Sequence, residues 1–391
     1  MTMFSDLHER LWNETPGEKP LAPGEALSLA RSAAPGDRSL ARLLFAEGLG
    51  AGGALDAAII ERSERAKSAL FANTVQAVVP IYVSSICNEH CLYCNYRAGN
   101  HGDAVQRVRL TDEQLRREAE FLVEEKGFRC LELVYATDPL VRPAAMCRHV
   151  EILRELLERR GGTVVGLSAE ALEESDYRDL VSAGLSFSVL WQETYDRWRY
   201  QQLHPGRGKK ARFEYRLDAF ERMLSGGVRD VGIGILTGLS PWKRDWAMLI
   251  NHEMYLREQC GQAATILGIP RLKSAPGAQV HTTPFTPSDA EFQVTVALHN
   301  LLFPEVRPFV STRESFDLCT QLARGGGCLF TFNCTTIPGG YTMGNPGCQF
   351  PSGSYDAPVY SEKLTQLGLA TDWNWAPYEQ ALYAAHIEHR A

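Results

Sequence analysis

Short apolar runs with strand character recur through the middle of this chain, and helical patterns separate most of them. The runs fall at 79–86, 129–136, 163–168, 185–191, 229–236, 265–270, 308–312 and 328–333. Strands that are apolar throughout are buried on both faces, as in a parallel sheet covered by helices. The segment Thr111-Asp-Glu-Gln-Leu-Arg-Arg-Glu-Ala-Glu opens with a capping residue and an acidic first turn, as a helix should. Eight such strands over about 250 residues match the size of a closed (β/α)8 TIM barrel. A doubly wound open sheet is the rival that spacing alone leaves standing. The expected α/β organisation is a helical segment over 1–70, the barrel over 71–345, and a C-terminal extension over 346–391 that packs on it.

Composition narrows the class. With 391 residues, 45% hydrophobic and 22% charged, the chain has the make-up of a globular enzyme with ample core. A formal net charge of −7 offers no basic footprint, so nucleic acid is not an expected partner. The amino terminus lacks the layout of a signal peptide, and no apolar run approaches the ~18–20 residues that span a bilayer. The expected location is therefore cytoplasmic, without a membrane partner. There the ten cysteines should be thiols, and clustered ones point to metal or catalysis.

In a barrel of this kind the chemistry collects where strands end. Just past the expected strands lie Cys87-Asn-Glu-His-Cys91-Leu-Tyr-Cys94, then Asp138, Ser168 with Glu170, Gln192 with Glu193, Thr237, Arg271, Arg313 and Cys334. Three thiolates in one short loop suit a [4Fe–4S] cube, because soft thiolates stabilise iron–sulfur clusters. A structural zinc with His90 or His101 as fourth ligand is the alternative, although zinc pairs usually come as two close couples. Cys328, Cys334 and Cys348 raise the question of a second cluster, but their spacing is wide and buried free thiols are the expectation.

The C-x3-C-x2-C spacing is that of the radical S-adenosylmethionine (SAM) superfamily. The chain further resembles that superfamily's aromatic amino-acid lyases: the tyrosine lyase of thiamine biosynthesis (2-iminoacetate synthase), the tyrosine lyase of hydrogenase maturation, and the tryptophan lyase of 3-methyl-2-indolic acid biosynthesis. The matching stretches include Phe71-Ala-Asn-Thr-Val, Val79-Pro-Ile-Tyr-Val, Gln192-Glu-Thr-Tyr195, Leu203-His-Pro, Gly208-Lys-Lys and Val231-Gly-Ile-Gly-Ile-Leu-Thr-Gly-Leu. Pro270-Arg-Leu, Ser311-Thr-Arg-Glu-Ser315 and Pro338-Gly-Gly-Tyr341 follow in family order, and Phe4-Ser-Asp and Trp373-Asn-Trp375 extend the likeness to both ends.

The resemblance implies a radical-SAM barrel holding a [4Fe–4S] cluster on Cys87, Cys91 and Cys94, with Tyr93 beside the adenine. It also implies a free aromatic amino acid as substrate and a low-potential electron donor such as flavodoxin or ferredoxin. In such enzymes a 5′-deoxyadenosyl radical takes a hydrogen from the substrate amine, and a bond at the α-carbon then breaks. On the SAM side the resemblance nominates Asp138 for the ammonium, Ser168 and Glu170 for the ribose, Arg216 for the carboxylate, and Thr237. On the substrate side it nominates Arg313 and Arg271 as carboxylate forks, with Ser311, Gln192, Glu193 and Cys334 around them. L-Tyrosine, cleaved between Cα and Cβ to 2-iminoacetate and p-cresol, is the expected substrate. Fragmentation of L-tryptophan to an indolic acid is the nearest rival. A cluster-binding assembly factor and a zinc-stabilised binding module are rivals of another class.

Overall fold

The structure, a computed structural model, describes residues 3–15, 19–102 and 106–374. Trp375 and the remainder of the expected extension lie outside them. Eight parallel strands close into a barrel: β1 (Thr74–Ser84), β2 (Cys130–Tyr135), β3 (Val164–Ser168), β4 (Phe187–Glu193), β5 (Asp230–Ile235), β6 (Ile266–Gly268), β7 (Arg307–Val310) and β8 (Leu329–Thr331). Neighbours pair in chain order and β8 returns to β1, so the barrel is closed and the open sheet is excluded. A short β9 (Ala370–Asp372) adds to the start of β1 at Thr74–Gln76. That pairing is why β1 begins five residues before the apolar run that marks it in the sequence.

Inside, Val78, Cys130, Val164, Phe187, Val189, Ile266 and Leu329 form an apolar plug. Two glycines make room for its rings. A Cβ on Gly166 would stand 2.0 Å from the Phe187 ring, and one on Gly268 would stand 2.0 Å from Trp191. The plug fills the lower barrel and leaves the upper part hollow.

Helices cover the outside. The one over Asp112–Glu120 starts as its sequence predicts: the Gln114 amide donates to the Thr111 hydroxyl (3.2 Å) and the Gln114 side chain accepts from the Thr111 amide (2.9 Å). The N-terminal helices pack on the same layer. Phe4 stacks on His252 at 3.7 Å between centroids, and its amide donates to Glu221 (3.0 Å). No helix among the described residues is long and apolar enough to cross a membrane. After β8 the chain turns back over the barrel mouth, so Gln349 and Phe350 come to line the hollow.

Candidate active site

The loop after β1 carries the three cysteines at the barrel mouth, and backbone bonds fix its shape. The Asn88 amide donates to Thr137 O (3.1 Å), that of Leu92 to Leu203 O (3.0 Å), and that of Ala98 to Glu89 O (2.7 Å). Arg107 clamps the loop from outside, donating to the carbonyls of Ser85 (2.9 Å), Tyr96 (2.7 Å), Arg97 (2.7 Å) and Asn100 (3.1 Å). Amides of the loop approach the sulfurs, Glu89 N–H at 3.5 Å from Cys87 Sγ and Tyr96 N–H at 3.3 Å from Cys94 Sγ. The Gln349 amide adds a donor to Cys94 at 3.7 Å.

Burial alone keeps these thiols protonated, pushing Cys87 up to about 11 and raising Cys91 and Cys94 as well. Cationic iron would reverse that preference, since a bound metal deprotonates its thiol ligands. Among the described residues no three His, Cys, Asp or Glu side chains converge on a single-ion site. Three thiols facing one hollow, with N–H donors to two of them, fit a cube in which each holds a different iron.

The hollow beneath has a volume of about 230 Å³, and all three cysteines line it. Tyr93 joins them, its hydroxyl 2.7 Å from His204 Nε2. Ser168 and Glu170 line the wall past β3. Glu170 is ion-paired with Arg216, which is only 1% exposed and also donates to Trp191 O (2.6 Å). Although burial works against it, Arg216 together with Lys210 holds the Glu170 carboxyl below its ordinary value. Glu193 ends β4 in the left-handed region, φ 75°, and pairs with Lys210. A non-glycine residue held there is strained, and such strain concentrates at functional sites.

On the far wall stand Ser311, Arg313 and Cys334. The Arg313 guanidinium stacks on the Phe350 ring, 3.3 Å from its centroid. It has no hydrogen bond or ion pair to any described residue, and burial lowers its pKa. Burial pushes the Cys334 thiol up to about 11, against the Thr312 and Ser352 hydroxyls.

Four expected residues stand elsewhere. Asp138 is turned away from the hollow with both oxygens occupied. Arg109 donates to them at 2.6 and 2.7 Å, Ser84 Oγ at 2.6 Å and the Leu140 amide at 3.0 Å. Its neighbour Thr137 lines the hollow instead. Arg271 is saturated too, gripping both oxygens of Glu314 (2.9 and 2.5 Å), Asp289 (2.7 Å) and Pro287 O (3.1 Å). Gln192 is buried beside a bulge between Trp191 and Glu193, and those two line the hollow while it does not. Thr237 is buried behind the lining residue Leu236, its backbone bridged to Arg271. A second cluster is ruled out for Cys328 with Cys334, because they flank β8 at opposite ends and Cys328 lies by Lys67.

The structure adds lining residues that carry no role in the sequence reading: Tyr82, Glu132, Lys210, Gln349 and Phe350. Lys210 lies within Gly208-Lys-Lys, a stretch that carries the family resemblance and is the signal for it. Glu132 sits inside a strand and Gln349 in a distant return loop, so inspecting strand ends misses both.

Comparison with known proteins identifies the family. The model of the radical SAM superfamily matches residues 81–248. The 2-iminoacetate synthase of Escherichia coli (strain K12) is 31% identical over 329 residues, spanning 82% of this chain and 83% of that protein. The FeFe-hydrogenase maturase HydG from Carboxydothermus hydrogenoformans superposes with a TM-score of 0.81 at 25% identity, covering 95% of this chain and 83% of that one. Methylornithine synthase, at 19% identity and a TM-score of 0.66 over 95% of this chain and 99% of its own, shares the fold. The chain is thus a radical SAM enzyme of the aromatic amino-acid lyase family, and its cofactors are a [4Fe–4S] cluster and SAM.

Proposed function

We propose that this enzyme cleaves the Cα–Cβ bond of a free aromatic amino acid, L-tyrosine, to 2-iminoacetate and p-cresol. The observation that carries the reading is the Arg313 guanidinium, buried in the hollow beside the cysteine loop with no ion pair to any described residue. A buried cation without a counter-charge is costly unless a ligand supplies one, and a planar fork suits an amino-acid carboxylate. Cys87, Cys91 and Cys94 hold the cluster. When bound, the cluster supplies the electron that cleaves SAM, and SAM supplies the hydrogen-abstracting radical.

The protein's part is placement. Tyr93, Ser168, Glu170 and Arg216 form the SAM side of the hollow, and Arg313, Ser311, Cys334 and Glu193 form the substrate side. Fixing the amine close to SAM converts an encounter into an intramolecular step, which is where such an enzyme gains most of its rate. The aromatic walls, Trp191, Phe309 and Phe350, shape the space for a ring. The electron comes from a low-potential donor such as a flavodoxin or ferredoxin.

The test is an anaerobic reaction of reconstituted, reduced enzyme with SAM and either L-tyrosine or L-tryptophan, read by mass spectrometry. p-Cresol together with glyoxylate, the hydrolysis product of 2-iminoacetate, is expected from tyrosine. An indolic acid or skatole from tryptophan alone would overturn the choice of substrate.

A further inference from the structure

We propose that Glu132 selects the substrate's side chain by hydrogen-bonding, from the floor of the hollow, the phenol hydroxyl at the far end of the bound ring. The proposal rests on the reading of the enzyme as an aromatic amino-acid lyase and adds the residue that reads the side chain. Along β2 the inward residues are Cys130, Glu132 and Val134. Cys130 belongs to the apolar plug, and Glu132 and Val134 line the hollow. In the barrel register Glu132 pairs with Pro80 and Val134 with Tyr82. Glu132 is thus one inward layer, roughly 6.6 Å, deeper than Tyr82. It rests directly on the plug.

Its carboxyl is 4% exposed and makes no hydrogen bond or ion pair to any described residue. The polar groups around it are engaged with others. Thr331 Oγ1 donates to Val310 O (3.1 Å), and the Tyr82 hydroxyl donates to Gln349 Oε1 (2.9 Å). Buried carboxylates with structural work look different. Glu314 is gripped by Arg271 and Lys273, and Glu118 accepts from the amides of Tyr341 (3.1 Å) and Thr342 (2.7 Å). Buried polar groups are nearly always satisfied, so an orphan aimed into a cavity calls for a partner from outside.

The layout between the two orphans specifies that partner. Arg313 lines the hollow past β7, Glu132 lines it one layer above the plug, and Trp191, Val189 and Phe309 are apolar groups lining the same hollow. A molecule that satisfies both ends has a carboxylate, an aromatic body and a distal hydrogen-bonding atom. Burial raises the Glu132 pKa to about 8, so the carboxyl is neutral at pH 7. A neutral carboxyl donates one bond and accepts another, matching a phenol hydroxyl that does the same. Sites built to bond a substrate hydroxyl reject the analogue lacking it by up to about 10⁴–10⁵.

The experiment compares reconstituted wild type, Glu132→Gln and Glu132→Leu with L-tyrosine, L-phenylalanine and L-tryptophan. It follows substrate-stimulated 5′-deoxyadenosine as kcat/KM, and checks iron content and SAM binding in each protein. Wild type is expected to favour tyrosine over phenylalanine by at least about 100-fold. Glu132→Leu should cut that preference to within about tenfold, by losing tyrosine turnover while keeping phenylalanine turnover, cluster and SAM binding. Glu132→Gln, which still donates and accepts, should retain most of the preference. A cluster-loaded Glu132→Leu enzyme with the wild-type tyrosine-to-phenylalanine ratio would overturn the role of Glu132 and leave the lyase reading intact. So would a wild type that does not discriminate between them, and a preference for tryptophan would overturn the phenol. No response of wild type to any of the three would overturn the lyase reading itself, and this assignment with it.

Discussion

At the lower end of the barrel the buried cations Lys67 and Arg307 have their partners; at the mouth Arg313 has none for its charge among the described residues. Lys67, fully buried, donates to Pro304 O (3.1 Å) and Val306 O (2.8 Å), and Arg307 donates to Gln76 (2.7 Å) and Asp230 (3.1 Å). At the mouth Arg271 is likewise saturated, whereas Arg313, three residues past β7, stacks on Phe350 but has no hydrogen bond or ion pair from its guanidinium to any described residue. Glu132 repeats the pattern for acids. Leaving a buried polar group unpaired costs about 1–3 kcal/mol, more when it is charged. A fold tolerates that cost where a ligand later completes the bond, which is the reading proposed for Arg313 and Glu132, both of which line the hollow.

The comparison can be broken first at Glu132. Its carboxyl, ordinarily 4.5, stands at about 8 in the folded protein because of burial. Between those values the unfolded chain releases a proton that the folded chain keeps. Its contribution to stability is therefore fully present below about pH 4.5 and lost as pH rises toward 8, on the order of 5 kcal/mol in all. Glu132→Gln escapes that loss. Urea unfolding should show the variant gaining on wild type between pH 5 and pH 8, and a pH-independent difference would mean that Glu132 has a partner. The second break lies at Arg271, where Arg271→Ala should lower unfolding stability by about 3 kcal/mol, because it leaves the buried Glu314 with Lys273 alone. A loss below about 1 kcal/mol would remove the distinction between the saturated and the unsaturated arginine.

Much of the barrel is legible in the sequence because parallel strands are apolar on both faces and therefore stand out as runs. The ends of strands are less legible. The run 185–191 corresponds to β4 at Phe187–Glu193, a shift of two residues that carries Gln192 from an expected rim position into the strand beside a bulge. Past β2 a one-residue difference decides the same question: Thr137 lines the hollow, and Asp138 turns to Arg109. Neither outcome is written locally. The saturation of Arg271 depends on Glu314, 43 residues away and inside the very motif that marks Arg313. Glu132 is not legible in the sequence, because a carboxylate within an apolar run reads as an interruption and only the closed barrel shows that it faces a cavity.

The most direct measurement sets the two arginines side by side. Reconstituted Arg313→Ala and Arg271→Ala enzymes, each checked for iron and for SAM binding, are assayed for 5′-deoxyadenosine with and without L-tyrosine. The expected result is that Arg313→Ala loses the stimulation by tyrosine, with kcat/KM down about 100-fold or more, a loss fitting a charge-assisted fork. Arg271→Ala, less stable, should keep the stimulation per folded molecule. Undiminished stimulation in Arg313→Ala, or its loss only in Arg271→Ala, would contradict the assignment of the unpartnered guanidinium to the substrate carboxylate.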